Sequence, residues 1–366
     1  MPQRSTHSTR SDLGDGVGNA RTVAGADSDL TVTAVDTIRV VDRTRWNEVV
    51  DRCDLATVFH RYEWLEAIER GLGHPARHVL VEKDTNLIGL FPNFIVGIPK
   101  TPFDRLTSIY PGFGGPLLST DVAEALTHLI EGIPDLCDGR TIVHEIRASN
   151  TNYLRYNDPL EAEGYDSSRA GGRFLLNLAR GYDAIFEGMD SSRRRAIRRG
   201  REHNHEIDDV EPSRANLRRF YEGYRTRMEH IDGTVYPFEF FDRLRAMDDR
   251  LVLVSLTIDG EYAGGFLALC NDEQSTVHGF FAGVPSAYFE YHASELVYDY
   301  LFRWGIDNGY ERYDFGGSGA NFEDGAFRFK EKFGGRLVPN LYWERGTSPA
   351  WRLVKTGRSL YWRYAK

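Results

Sequence analysis

Apolar and polar positions follow their clearest pattern between Leu251 and Gly335. There LVLVSLTIDGEYAGGFLALCNDEQSTVHGFFAGV predicts three consecutive strands, with apolar runs broken by turn residues at Asp259-Gly260 and Asn271-Asp272. A helical period follows in HASELVYDYLFRWGIDNG, then a strand that ends in glycines, RYDFGGSG, and then RFKEKFGG. A meander, a helix and a strand running into a Gly-rich loop predict a cup for a substrate.

The first half repeats this order in weaker form. LTVTAV predicts a strand, Thr44–Cys53 and Tyr62–Gly71 predict helices, and Trp64, Leu65 and Ile68 supply an apolar stripe on the second. HVLVEKDTNLIGLFPNFIVG reads as a hairpin turning at Asp84–Asn86. LTSIYPGFGGPLLS is a strand entering a loop where Gly112, Gly114 and Gly115 permit close backbone approach, Thr120 to Leu129 is helical, and TIVHEIRAS returns as a strand. VLVEKDTNLIGLFPNFIV resembles VLVSLTIDGEYAGGFLAL, and each is followed by a strand, a helix and another strand. The shared order predicts two related α/β units, and the hairpins predict mixed, largely antiparallel sheets flanked by helices. The boundaries expected are a disordered tail over 1–29, a first unit over 30–165 and a second over 166–366. The second ends in an LVPNLYWER strand and an aromatic, basic C-terminal helix.

Composition narrows the setting. The net charge is −9, with only 6 Lys against 39 Arg, and no apolar run is long enough to span a membrane. The N-terminus has no apolar h-region, so no secretory signal is expected and the cytoplasm is the expected compartment. Cys53, Cys137 and Cys270 are far apart and form no CxxC, which predicts three buried free thiols, although a distant pair stays open. No HExxH or G-x-S-x-G occurs, so neither a metal site nor a serine nucleophile is predicted.

Three clusters carry candidate chemistry. In SSRRRAIRRGREHN, helical spacing puts Arg194, Arg198 and Arg201 on one face, which predicts an anion site for a phosphate-bearing partner. The alternative is pairing with the protein's own acids. FGGSG, at Phe315–Gly319, lacks both GxGxxG and GK[ST], so Gly316 and Gly317 predict a turn that admits substrate to the backbone; Asp314 before them is a candidate base. Lys330 stands beside this loop in a chain that uses Arg almost everywhere, and an ammonium there would stabilise an oxyanion or orient a carboxylate.

From about Val40 to Trp343 the pattern resembles the FemAB-like acyl- and aminoacyltransferases, built of tandem GNAT folds and related to peptidoglycan interpeptide-bridge enzymes. The SSRRRAIRR helix is similar to the Ser/Lys/Arg-rich segment that opens the family's second unit. RFYEGYRTRMEH resembles its "Y…T…R" helix, and DFGGS…FRFKEKFGG its closing signature. The resemblance implies an N-acyltransferase that moves an acyl or aminoacyl group from acyl-CoA or aminoacyl-tRNA to an amine, without a covalent enzyme intermediate. The acceptor it implies is a small molecule or a cell-envelope or polysaccharide precursor. Lys330 and Phe329 match the family's Phe-Lys pair, and Arg227 lies in the helix that carries its acceptor-binding arginine; Tyr236 is added as a substrate-binding candidate. The position of the coenzyme A loop reads AGVPSAYFEYHASEL, without the glycines of Q/RxxGxG/A, and no coiled-coil arm is present. A catalytically silent scaffold in envelope or polysaccharide assembly is therefore the competing expectation. No resident cofactor and no DNA partner is expected. tRNA, and a weak membrane contact through Trp351, Leu353, Tyr361, Trp362 and Tyr364, stay open.

Overall fold

The computed structural model describes residues 20–24, 29–120, 122–168 and 171–364, the side chains of 23, 24 and 358–364 being left aside. The chain forms two compact units. One takes the residues up to Glu69, Gly73–Ser168 and everything from Leu341; the other takes Arg70–Leu72 and Arg169–Asn340.

The first unit runs through β1 (Ala20–Ala24), β2 (Leu30–Val35), β3 (His78–Lys83), β4 (Asn86–Phe91), β5 (Phe94–Gly97), β6 (Asp104–Thr107), β7 (Leu117–Leu118), β8 (Thr141–Ala148) and β9 (Asp166–Ser168). The second contains β10 (Gly172–Asn177), β11 (His205–Val210), β12 (Leu251–Ile258), β13 (Glu261–Asn271), β14 (Thr276–Ala282), β15 (Arg312–Ser318) and β16 (Arg336–Pro339). A last strand, β17 (Leu341–Gly346), returns to the first unit. The sheet orders are β1-β2-β3-β4-β7 and β5-β6-β8-β17-β9 in the first unit, and β11-β12-β13-β14-β15-β10-β16 in the second.

Local turn chemistry fixes both hairpins named from sequence. Asp84 and Thr85 take φ of 47° and 70°, and Asp259 and Gly260 take 51° and 82°, the paired positive values that match the twist of two-residue hairpins. Ala20–Ala24, expected to lie in the tail, is instead a strand paired antiparallel with β2. Residues 1–19 and 25–28 lie outside the described residues.

The two units share a layout. In each, one parallel pair (β6 with β8, β14 with β15) is extended on its far side by an antiparallel strand. For β15 that strand is β10, from the middle of the chain; for β8 it is β17, from the end. LVPNLYWER is therefore not one strand. Asn340 is fully buried, its N–H donates to Gly171 O at 3.0 Å, and its Oδ1 accepts from Arg173 Nη1 at 3.1 Å. Pinned there, the chain ends β16 in one sheet and starts β17 in another, so residues 341–366 group with the first unit and not the second.

The cores follow the patterned stripes. Trp46, Trp64, Leu65 and Ile68 are fully buried in the first unit. In the second, Leu296, Val297, Leu301 and Phe302 of the central helix (Ala293–Asp307) pack with Phe266, Tyr313, Phe315 and Phe333. Trp351 of the C-terminal helix turns back onto Ile142 and Val143, which withdraws it from a membrane role. Leu353 is 78% exposed. The side chains of Tyr361, Trp362 and Tyr364 lie outside the described residues. No described helix is long and apolar enough to cross a membrane, and no group of described His, Cys, Asp and Glu residues is arranged to hold a metal. Cys53, Cys137 and Cys270 are free, the first and last buried and Cys137 half-buried.

Because β17 lies between β8 and β9, a chain ending at Asn340 loses the strand that joins them. Limited proteolysis of that truncation should cut within 29–168 at protease levels the full chain withstands, whereas a chain ending at Ser348, which keeps β17, should resist.

Candidate active site

Pairing between β14 and β15 covers Thr276↔Arg312, Val277↔Tyr313 and His278↔Asp314, and ends there although the strands run on to Ala282 and Ser318. Each strand carries a bulge just past that point. In β14, Leu267 and Ala268 of β13 face Phe281 and Gly279, so Phe280 is extra. In β15, Arg173 and Leu175 of β10 face Gly317 and Asp314, and Gly316 takes φ of 72°. A bulge bends its strand and ends regular pairing, so two of them at one level part the strands. Gly279 also makes room for Tyr313: a methyl there would collide with the Tyr313 hydroxyl, which is buried and has no partner among the described residues.

Below the parting lies a buried charge group that the sequence reading did not assemble. Asp314 Oδ2 is 3.1 Å from Arg173 Nε and 3.3 Å from His278 Nδ1, and Asp314 Oδ1 accepts the Gly316 N–H at 2.8 Å. Burial alone would raise the Asp314 pKa. The hydrogen bond and charge of His278, the charge of Arg173 and the Gly316 N–H outweigh it and hold the carboxyl below its ordinary range. Asp314, read from sequence as a base, is thus a 3% exposed ion-pair carboxylate that fixes the end of β15. The register of GGRF against YDFGG, which brings Arg173 to it, is invisible in either segment alone.

Lys330 stands at the far end of the same turn. On the short helix Gly325–Glu331, capped by Asp324 accepting from Phe327 N, it donates from Nζ to Gly317 O at 2.7 Å. Desolvation lowers its pKa to about 8, against the opposing charges of Asp314 and Asp324. Lys330, Phe329, Gly316, Gly317 and Asp314 are therefore brought together.

What holds this helix is Arg193. On the arginine helix (Ser191–Gly200), Arg193, Ile197 and Gly200 form the buried stripe, one residue out of phase with the face picked from sequence. The Arg193 guanidinium pairs with Glu295 of the central helix, donates to Phe329 O at 3.1 Å, and lies 4.1 and 4.5 Å over the rings of Phe329 and Phe333. Phe329 in turn packs on Tyr298. The predicted anion face is largely committed inside the fold: Arg194 donates to Met189 O at 2.8 Å, and Arg201 donates to Asp299 Oδ2 at 2.6 Å. Arg198 lies 5.4 Å over Phe186.

Arg227 and Tyr236 belong to the β14 side. Arg227 lies in the last turn of the helix Arg214–His230 with its guanidinium 4.9 Å over Phe289. Tyr236 is half-buried, its ring 6.0 Å from Phe281. In the segment before the central helix, Gly283 is closed off by Phe220, whose ring a methyl there would meet at 2.8 Å, so this glycine serves packing and forms no phosphate cradle.

Residues 191–331 match the family described as "Acetyltransferase (GNAT) domain", a span that contains the parted strands and Lys330. Among solved structures, FemX is similar with a TM-score of 0.64 and 13% identity, over 82% of this chain and 96% of FemX. The C-terminal domain of a putative lysylphosphatidylglycerol synthetase from Agrobacterium fabrum is similar with a TM-score of 0.56 and 12% identity, over 87% of this chain and 95% of that one. A tandem GNAT protein from the clavulanic acid biosynthesis pathway is similar with a TM-score of 0.53 and 11% identity, over 87% of this chain and 99% of that one. None of the curated proteins matches. The chain thus has a FemAB-like, tandem GNAT fold, and the stretch of its second unit over 191–331 is similar to the GNAT acetyltransferase domain.

Two substitutions test the framework. Arg193→Ala leaves the half-buried Glu295 without its cation and should lower stability by about 2–3 kcal/mol in urea unfolding. Gly279→Ala should cost about 2 kcal/mol in the same assay, and adding Tyr313→Phe should restore only part of it, because the hydroxyl goes but the ring Cζ stays 2.8 Å from the added methyl.

Proposed function

We propose that this protein is an N-acyltransferase that moves an acyl or aminoacyl group from acyl-CoA or aminoacyl-tRNA to an amine on a small-molecule or cell-envelope precursor. One observation carries the reading: a half-buried lysine, its pKa drawn down to about 8, held against the Gly317 carbonyl beside two parted strands.

In this reading the acceptor nitrogen attacks the carbonyl carbon of the ester or thioester. A C–N bond forms, the carbonyl becomes an oxyanion, and the C–O or C–S bond then breaks. The electron pair leaves with the ribose oxygen or thiol sulfur, which takes up the proton lost by the amine. The protein aligns the two reactants and supplies a donor at the developing charge. Lys330 is that donor, and Asp314 acts through it by favouring the ammonium. Gly316 and Gly317 leave the backbone open to substrate. Phe329 positions Lys330, while Arg227 and Tyr236 are read as acceptor contacts. The anion role read for Arg194, Arg198 and Arg201 rests on Arg198, which has no hydrogen-bond acceptor among the described residues.

The test is transfer of label from acyl-CoA and from aminoacyl-tRNA to a panel of amines. Lys330→Ala should lower kcat by about a hundredfold. Because the ammonium is the active form, the lysine-dependent rate should fall as pH rises through about 8. Lys330→Arg, charged throughout, should abolish that limb. Wild-type turnover in Lys330→Ala would overturn the assignment. Tight binding of donor and acceptor without turnover would instead favour the scaffold.

A further inference from the structure

We propose that the first unit holds a ligand site of its own, an oxyanion-binding cage around Arg147 on β8. Its backbone is fixed on both sides. The Arg147 N–H donates to Ser108 Oγ at 2.9 Å, and the Gly114 N–H donates to Arg147 O at 2.6 Å, which clips the glycine loop to the strand. The guanidinium then sits among three rings, with Cζ 4.9 Å from the centroid of Tyr110, 5.4 Å from Phe113 and 5.7 Å from Tyr342. Tyr342 is its cross-strand partner on β17. Arg147 and these three rings are all half-buried, so the cage keeps a face to solvent.

The guanidinium meets no carboxylate and no acceptor among the described residues, and its Nη1 is buried without a partner. Aromatic faces offset part of the charge, but they offer no lone pair in the guanidinium plane, where the N–H groups point. The nearby acids are already committed. Glu145, two residues back on the same sheet face, pairs with Arg105 at 3.3 Å, and Arg105 Cζ itself lies 5.0 Å from the Tyr110 centroid. Glu344, opposite Glu145 on β17, pairs with Lys355 at 2.6 Å, so neither acid answers the Arg147 charge. Thr107, in register with Glu145 on β6, is fully buried, and its hydroxyl also lacks a partner among the described residues. An arginine kept for packing alone would be cheaper as an apolar residue. With Nη1 buried, the edge formed by Nε and Nη2 is the one open to a ligand, and its parallel in-plane donors fit the two oxygens of a carboxylate or phosphate.

The experiment uses the full chain without any acyl donor, so its outcome does not depend on the transfer reading. Calorimetric titration with inorganic phosphate, pyrophosphate and succinate should show binding with a Kd of roughly 1 mM for one of the two chemistries, and the preferred one names the source. Arg147→Gln should weaken it by about tenfold or more, and Arg147→Lys, which keeps the charge but not the fork, by less. Arg52→Gln, at a surface arginine paired with Glu48, should leave it unchanged. Without ligand, Arg147→Gln should melt no lower than the wild type. No binding by the wild type, or equal binding by Arg147→Gln, would overturn the site. So would a lowered melting point in Arg147→Gln without any oxyanion effect, which would assign the residue to packing.

Discussion

Asp314 carries its charge inside the second unit, and the geometry of the candidate active site depends on how that charge is answered. A buried carboxylate is costly unless cations and N–H groups surround it, and here Arg173 from β10, His278 from β14 and the Gly316 N–H all converge on it. Those partners come from both neighbours of β15, so the ion group locks three strands at one level. Past that level the ladder between β14 and β15 stops, and the two bulges turn the strand ends apart. The parting is therefore a consequence of a fixed point and two extra residues, and it does not rest on weak strand propensity.

Arg193 plays the corresponding part among the helices. It joins the arginine helix to Glu295 of the central helix and to Phe329 on the helix of Lys330. Lysine is long and flexible, and its reach to Gly317 is definite only because the helix beneath it is held. Desolvation by this packing also lowers the Lys330 pKa, so the same contacts that place the amine tune it. Structure and chemistry meet in Arg193, which along the chain is only one cation of the run SSRRRAIRRGREHN.

The arginine helix shows where sequence reading stops. Its spacing was read for the face of greatest charge, Arg194, Arg198 and Arg201, and the helix buries the adjacent stripe of Arg193, Ile197 and Gly200. The i, i+4, i+7 pattern containing Ile197 was the available signal; a charged first member hid it. The strand LVPNLYWER misled for a different reason. Nothing in its alternation marks Asn340 as the point where one sheet is left for another, because that is decided by Arg173 and Gly171, distant along the chain.

Local chemistry let the sequence alone determine the meander from Leu251, both two-residue hairpins, the central helix, and the placing of Lys330 after a glycine turn. Each depends on residues within a few positions of one another, where turn preference and periodicity act directly. The tertiary structure decided which strands adjoin β8 and β15, which arginine enters the core, and that Asp314 is an ion-pair partner. It also left Arg147 without an acid. Those outcomes depend on which distant groups share one buried volume, and a carboxylate or guanidinium looks the same along the chain whether or not its counter-charge arrives.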